Sequence, residues 1–163
     1  MQHFIETYNE VVSPSDCQKI IEYFESQEDR HHKGCYALDG QVIVNPSVKD
    51  STDILMNLTV DNDCTNILVP VINQCTELYR EKYPSVDIIS NWSADPQYNI
   101  QRYYPNQGYH GVHCEDSSPS TNRVMGWSLY LNTITDGGGT IFPEYKLKID
   151  AEVGKFAIFP AYW

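Results

Sequence analysis

Positive charge is what this chain has least of. Eleven Lys and Arg stand against 22 Asp and Glu, a formal net charge of −11 at pH 7. Nothing here neutralises a run of phosphates, which excludes a nucleic-acid-binding surface. The carboxylate surplus favours solubility and a basic partner. Long apolar runs are missing as well: no stretch approaches the roughly 18 residues that a membrane helix needs. Met1 to Val12 shows no basic segment leading into an apolar core, so neither a membrane span nor a secretory leader is read. Cysteine is sparse, with five residues at positions 17, 35, 64, 75 and 114 and no Cys-x-x-Cys pair. An odd, scattered set argues against a disulfide framework or a zinc knuckle and for a reducing compartment, expected to be the cytoplasm. Internal repeats and low-complexity linkers are also absent. The 163 residues, 41% of them hydrophobic, suffice for one domain with a sizeable core, read as spanning residues 1–163.

Residues 3–12 alternate loosely and read as a first strand. Ser13-Pro14-Ser15-Asp16 supplies a helix start: Ser13 caps, Pro14 takes the first helical position and Asp16 lies in the first turn. Cys17, Ile20, Ile21 and Phe24 then recur with helical spacing, which makes Cys17 a core residue. The polar stretch 26–40 is expected to be loop. Within it His31-His32 is read as solvated, because adjacent residues point apart in either regular structure. Residues 42–44 predict a short strand and 49–54 a polar turn. A second helix is expected over 66–82, buried along Ile67, Leu68, Val71, Ile72, Cys75, Leu78 and Tyr79 and ended by Tyr83-Pro84. Pro70 requires either that the helix begin close by or that it kink.

From residue 86 onward strands replace helices, at 86–90, 98–104, 109–115, 123–132, 139–143, 146–149 and 155–159. In the 123–132 run Met125, Trp127, Leu129 and Leu131 share one face, while Gly126, Ser128 and Tyr130 share a smaller, more polar one suited to lining a pocket. Helices followed by many strands predict an α+β fold, a jelly roll buttressed by N-terminal helices.

The stretch Tyr104-Pro105-Asn106-Gln107-Gly108-Tyr109-His110-Gly111-Val112-His113-Cys114-Glu115 sets an imidazole and a carboxylate two residues apart. In an extended segment both leave the same face and can reach one point, which is half of a two-His, one-carboxylate iron site. His110, an odd number of residues from His113, faces away unless a bulge intervenes. Cys114 is read as packing, and Asp116 as a substitute carboxylate only if the strand is distorted. The glycines at 137–139 suggest a tight turn, because no helix start or Lys-Ser/Thr follows them.

Read onward, Tyr130-Leu131-Asn132, Gly138-Gly139-Thr140-Ile141-Phe142-Pro143 and Gly154-Lys155-Phe156-Ala157-Ile158-Phe159-Pro160 follow in order. With the Tyr104-x-x-x-Gly108 and His113-x-Glu115 elements before them, these motifs resemble the Fe(II)- and 2-oxoglutarate-dependent dioxygenases of the prolyl 4-hydroxylase-like branch, in forms similar to those of marine bacteriophages. The resemblance is carried by residues 98–160 and extends to 1–97 only in architecture. It implies a double-stranded β-helix whose iron ligands are His113 and Glu115. Glu takes the place of the commoner Asp, which moves the oxygen by one methylene. Tyr130, Tyr104 (with Tyr103 as the alternative) and Thr140 would approach 2-oxoglutarate. The implied cofactors are Fe(II), 2-oxoglutarate and O2, with ascorbate an optional addition, and the products include succinate and CO2. The implied substrate is proline in a peptide or protein, or a small molecule, with no nucleic acid and no membrane as partner. A phage origin would make the cytoplasm that of the host cell.

In this family a second His and a basic residue for the far carboxylate of 2-oxoglutarate follow the strand that corresponds to 155–159. Neither occurs before Trp163, so a C-terminally truncated domain lacking its last strands is expected. The alternatives are a catalytically silent jelly-roll module, such as a phage structural or binding protein, and a cupin-type protein, which has no reason to carry these motifs in this order.

Overall fold

A computed structural model describes residues 3–38, 40–60, 62–88, 91–115 and 122–162. The first strand, β1 (Glu6–Tyr8), leads into α1 (Pro14–Ser26), capped by Ser13, whose hydroxyl accepts from the Asp16 N–H as the Ser-Pro-x-Asp pattern predicts. Cys17, Ile20 and Phe24 are its buried face. The second helix, α2 (Asp63–Lys82), starts earlier than expected because Asn62 caps it through the Thr65 N–H. Pro70 lies beyond the first turn on the exposed side, and the helix runs through it. A buried stripe of Cys64, Leu68, Val71, Ile72, Cys75 and Tyr79 offsets the missing backbone bond. Leu78, expected inside, is largely exposed. Tyr83 closes the helix, as the following proline requires.

Two three-stranded antiparallel sheets carry the core. One has the order β1-β12-β9, with β9 at Met125–Leu129 and β12 at Phe156–Pro160. The other is β2-β6-β7, with β2 at His32–Lys33, β6 at Thr52–Asn57 and β7 at Gln97–Arg102. Three two-stranded pairs complete the described residues. They are β3 (Tyr36–Leu38) with β4 (Gln41–Ile43), β5 (Lys49–Asp50) with β8 (Gly108–Tyr109), and β10 (Thr140–Phe142) with β11 (Leu147–Ile149). The main core joins α1 and α2 to β6, β7 and β12, and Met125, Trp127, Leu129 and Leu131 pack against it as one face of the β9 segment. Tyr130, on the opposite face, packs with Phe142, Ile149, Ala157 and Phe159 in a second cluster.

Several expectations are corrected. Residues 26–40 are not all loop: Glu28–Arg30 form a 3-10 turn, and β2 and β3 follow. Residues 49–54 are not a polar turn but β5 and the start of β6, because Lys49 neutralises Asp53 inside the protein. Pro84–Asp87 form a 3-10 turn rather than a strand, and residues 89–90 lie outside the described set. The 109–115 strand ends at Tyr109. The α+β character stands, but no sheet of the described residues closes into a barrel.

Candidate metal centre

After β8 the chain leaves regular structure, so the pleat does not bring His113 and Glu115 together. Long-range contacts do. The Glu115 N–H donates to the Ala161 carbonyl at 2.8 Å, and Ala161 in turn donates to Val124, tying the loop to the ends of β12 and β9. The Arg123 Nη1 donates to the Glu115 main-chain carbonyl at 3.2 Å and lies 3.5 Å from its Oε2. The Glu115 stem fits over β9 only because Gly126 has no side chain: a Cβ there would stand 3.0 Å from Glu115 Cγ and 2.6 Å from Phe159 Cε2.

On the other side, the Tyr109 ring stacks on the His113 imidazole, centroids 3.7 Å apart and planes 14° from parallel. His113 Nδ1 meets the Gly111 carbonyl at 2.7 Å. A carbonyl only accepts, so Nδ1 carries a proton, and Nε2 is left for the 3.7 Å approach to Glu115 Oε1. That distance makes an ion pair rather than a hydrogen bond. Burial opposes charge on His113, but Glu115 and the Gly111 carbonyl outweigh it and raise the imidazole pKa above its ordinary value. Contact with His113 lowers the Glu115 pKa against desolvation, with Arg123 and Lys49 adding to the effect.

This donor set fits a divalent cation. A ring nitrogen whose partner nitrogen is locked by a carbonyl is the usual outer-shell arrangement of a metal-binding histidine. Ligation would need Nε2 and the carboxylate unprotonated, so a cation held by this pair would compete with protons for it. Among the described residues no third His, Cys, Asp or Glu joins them. His110 instead turns back over Gly108, where an added Cβ would sit 3.0 Å from its Cε1. Cys114 is half-buried, His31 stacks on Phe24, and Asp116 lies outside the described residues.

The other named residues divide. Tyr130 Oη and Thr140 Oγ1 are joined at 2.6 Å, and Tyr130 packs against the cluster that contains Phe159, the neighbour of Gly126. Burial raises the Tyr130 pKa. Gly137 and Gly138 take positive φ in the tight turn before Thr140. Tyr104 is 54% exposed, with the Arg102 guanidinium 4.7 Å from its ring. Its neighbour Tyr103 is 39% exposed and donates its hydroxyl to Gln101 Oε1 at 3.0 Å, and desolvation raises its pKa, with the charge of Asp53 contributing.

Sequence reasoning missed a buried group beside this site. Lys49 Nζ is 2.7 Å from Asp53 Oδ2 and 5.7 Å from the Tyr109 ring centroid. The Lys-x-x-x-Asp spacing was its only sequence signal. A separate surface pocket, lined by Asn9, Glu10, Thr133, Glu152, Val153 and Lys155, holds no imidazole or thiol.

No protein-family model and no curated protein sequence matches the chain. Solved structures do. A prolyl-4-hydroxylase from Pseudomonas putida superposes with a TM-score of 0.69 over 98% of this chain and 81% of its own, at 12% identity. A viral collagen prolyl hydroxylase from Paramecium bursaria Chlorella virus-1, solved with 2-oxoglutarate, gives 0.58 over 96% and 77%, at 19% identity. The chain shares their fold. No helix among the described residues is long and apolar enough to cross a membrane.

Proposed function

We propose that this protein is an Fe(II)- and 2-oxoglutarate-dependent hydroxylase that acts on prolyl residues of a peptide or protein. The observation that carries the reading is the approach of His113 Nε2 to Glu115 Oε1 at 3.7 Å, with Nδ1 held by the Gly111 carbonyl, in a fold shared with two prolyl hydroxylases. When bound, iron with 2-oxoglutarate and O2 supplies the oxidising chemistry of C–H hydroxylation, releasing succinate and CO2. His113 and Glu115 provide the protein donors. Gly126 leaves the space that Glu115 occupies, and Phe159 forms a dry floor. Tyr130, oriented by Thr140, and Tyr104, with Tyr103 as the alternative, offer hydroxyls to the co-substrate. The chain forms one catalytic domain of marine-phage type and works in the host cytoplasm.

Anaerobic titration of the protein with Fe(II) and 2-oxoglutarate tests this. A weak visible charge-transfer band is expected, and His113→Ala should abolish it. No band in the intact protein refutes the reading. That only two donors gather among the described residues favours a second one, a silent jelly-roll binding module. A His codon and then an Arg or Lys codon close downstream of Trp163 decide for the enzyme, and a stop codon decides for the module.

A further inference from the structure

We infer that the buried Asp53–Lys49 pair is a positioning device for the His113 imidazole, acting through the Tyr109 ring. As a statement about metal binding this rests on the function proposed above. Lys49 is 4% and Asp53 1% exposed, and their 2.7 Å contact is enclosed by protein. Lys49 also donates to the Cys35 carbonyl at 3.3 Å, and Gln101 Nε2 donates to Asp53 Oδ2 at 3.4 Å. The place is built for these groups: a Cβ on Gly34 would stand 3.2 Å from Lys49 Cε and 2.1 Å from Ser51 Oγ.

Stability alone is a poor reason for such a pair. Burying two charges costs about as much as their attraction returns, and apolar residues of similar volume commonly serve as well or better. Here Asp53 Oδ1 is buried with no hydrogen-bond partner, so the arrangement is not even fully satisfied. What the pair does is fix an ammonium against the Tyr109 ring. Lys49 and Tyr109 are register partners in the β5–β8 pair, and the ammonium lies 5.7 Å from the ring centroid, within cation–π range. The same ring stacks on His113 at 3.7 Å and meets Tyr36 at 6.4 Å. His113 lies in irregular chain, so this stack and the Gly111 carbonyl are what hold its plane. Asp53 keeps Lys49 in place, Lys49 seats Tyr109, and Tyr109 sets the imidazole.

The test replaces the pair by an apolar one, Lys49→Met with Asp53→Leu, and reads three quantities: the urea midpoint, the 15N shifts of the His113 ring in metal-free protein, and Co(II) affinity. The expected result is an unchanged or higher midpoint, His113 signals that broaden or report a mixed tautomer, and Co(II) binding weakened 10- to 100-fold, as for loss of an outer-shell support. Unchanged His113 signals and Co(II) affinity overturn the inference. Should the double variant not fold, Tyr109→Phe and Tyr109→Leu replace it: the ring-retaining change should preserve the His113 signals and the ring-deleting one lose them, and equality of the two overturns the inference. If the unaltered protein takes up no Co(II), the metal reading fails while the ring-shift comparison still judges the positioning role.

Discussion

Gly126→Ala should loosen the fold and open the metal centre in one step. Gly126 is the register partner of Phe159 in the β9–β12 pair, and its missing side chain is the space that Glu115 uses. A Cβ would lie 2.6 Å from Phe159 Cε2 and 3.0 Å from both Phe159 Cζ and Glu115 Cγ. Ordinary carbon contacts are about 3.5–4.0 Å, so roughly 1 Å of overlap must be relieved. Phe159 yields little, since it is 6% exposed and wedged edge-on against Phe142 at 5.1 Å. Overpacking of this kind costs about 1–3 kcal/mol. Glu115 is the softer neighbour and moves first, carrying its carboxylate away from His113. The expected outcome is a urea midpoint lowered to match that cost, together with Co(II) affinity down at least tenfold. Gly126→Ala with wild-type stability and wild-type Co(II) binding would show that Gly126 does not shape the site.

The His113–Glu115 pair should stabilise the metal-free protein most between about pH 4.5 and 6.5, the ordinary pKa range of the two groups. The raised His113 pKa gives a contribution that is full below the ordinary His value and lost as pH rises through the folded value. The lowered Glu115 pKa gives one that is present above the ordinary Glu value and lost as pH falls through the folded value. With both side chains more than a third exposed the amplitude stays below about 1 kcal/mol, so the difference in Tm between wild type and His113→Gln, followed from pH 4 to 9, should trace a shallow maximum, and a flat difference contradicts the pairing. Tyr130→Phe removes the 2.6 Å bond to Thr140 and should cost about 0.5–1.5 kcal/mol by urea denaturation. Calorimetry should also show weakened 2-oxoglutarate binding, and unchanged binding removes Tyr130 from the co-substrate site.

What could be read along the chain was what is decided locally. Ser13, Pro14 and Asp16 form a cap within one turn, so α1 was legible to its first residue. Alternation over 123–132 was legible because one face meets the main core and the other meets Tyr130's cluster. β6 was hidden by its own chemistry. Lys49 and Asp53 look like surface residues, and only their meeting inside the protein makes a buried strand of what reads as a polar turn. Tyr103 and Tyr104 are not separated by sequence, since adjacent residues differ only in which way the chain turns after β7.

In the candidate metal centre His113 and Glu115 meet by a route other than the expected one. An extended strand was expected to align His113 and Glu115, and the segment is irregular. Strand geometry would have set their separation through two residues of backbone. Instead it is set from Ala161 and Gly126 on one side and from Tyr109 and Gly111 on the other. Several of these contacts join positions far apart in sequence, which no local pattern encodes. The two donors are thus carried by different supports, Glu115 by the β9–β12 edge and His113 by the β5–β8 pair. Their 3.7 Å separation is therefore set by contacts to two different sheets, whereas neighbours on one pleated strand would have it set by the backbone between them.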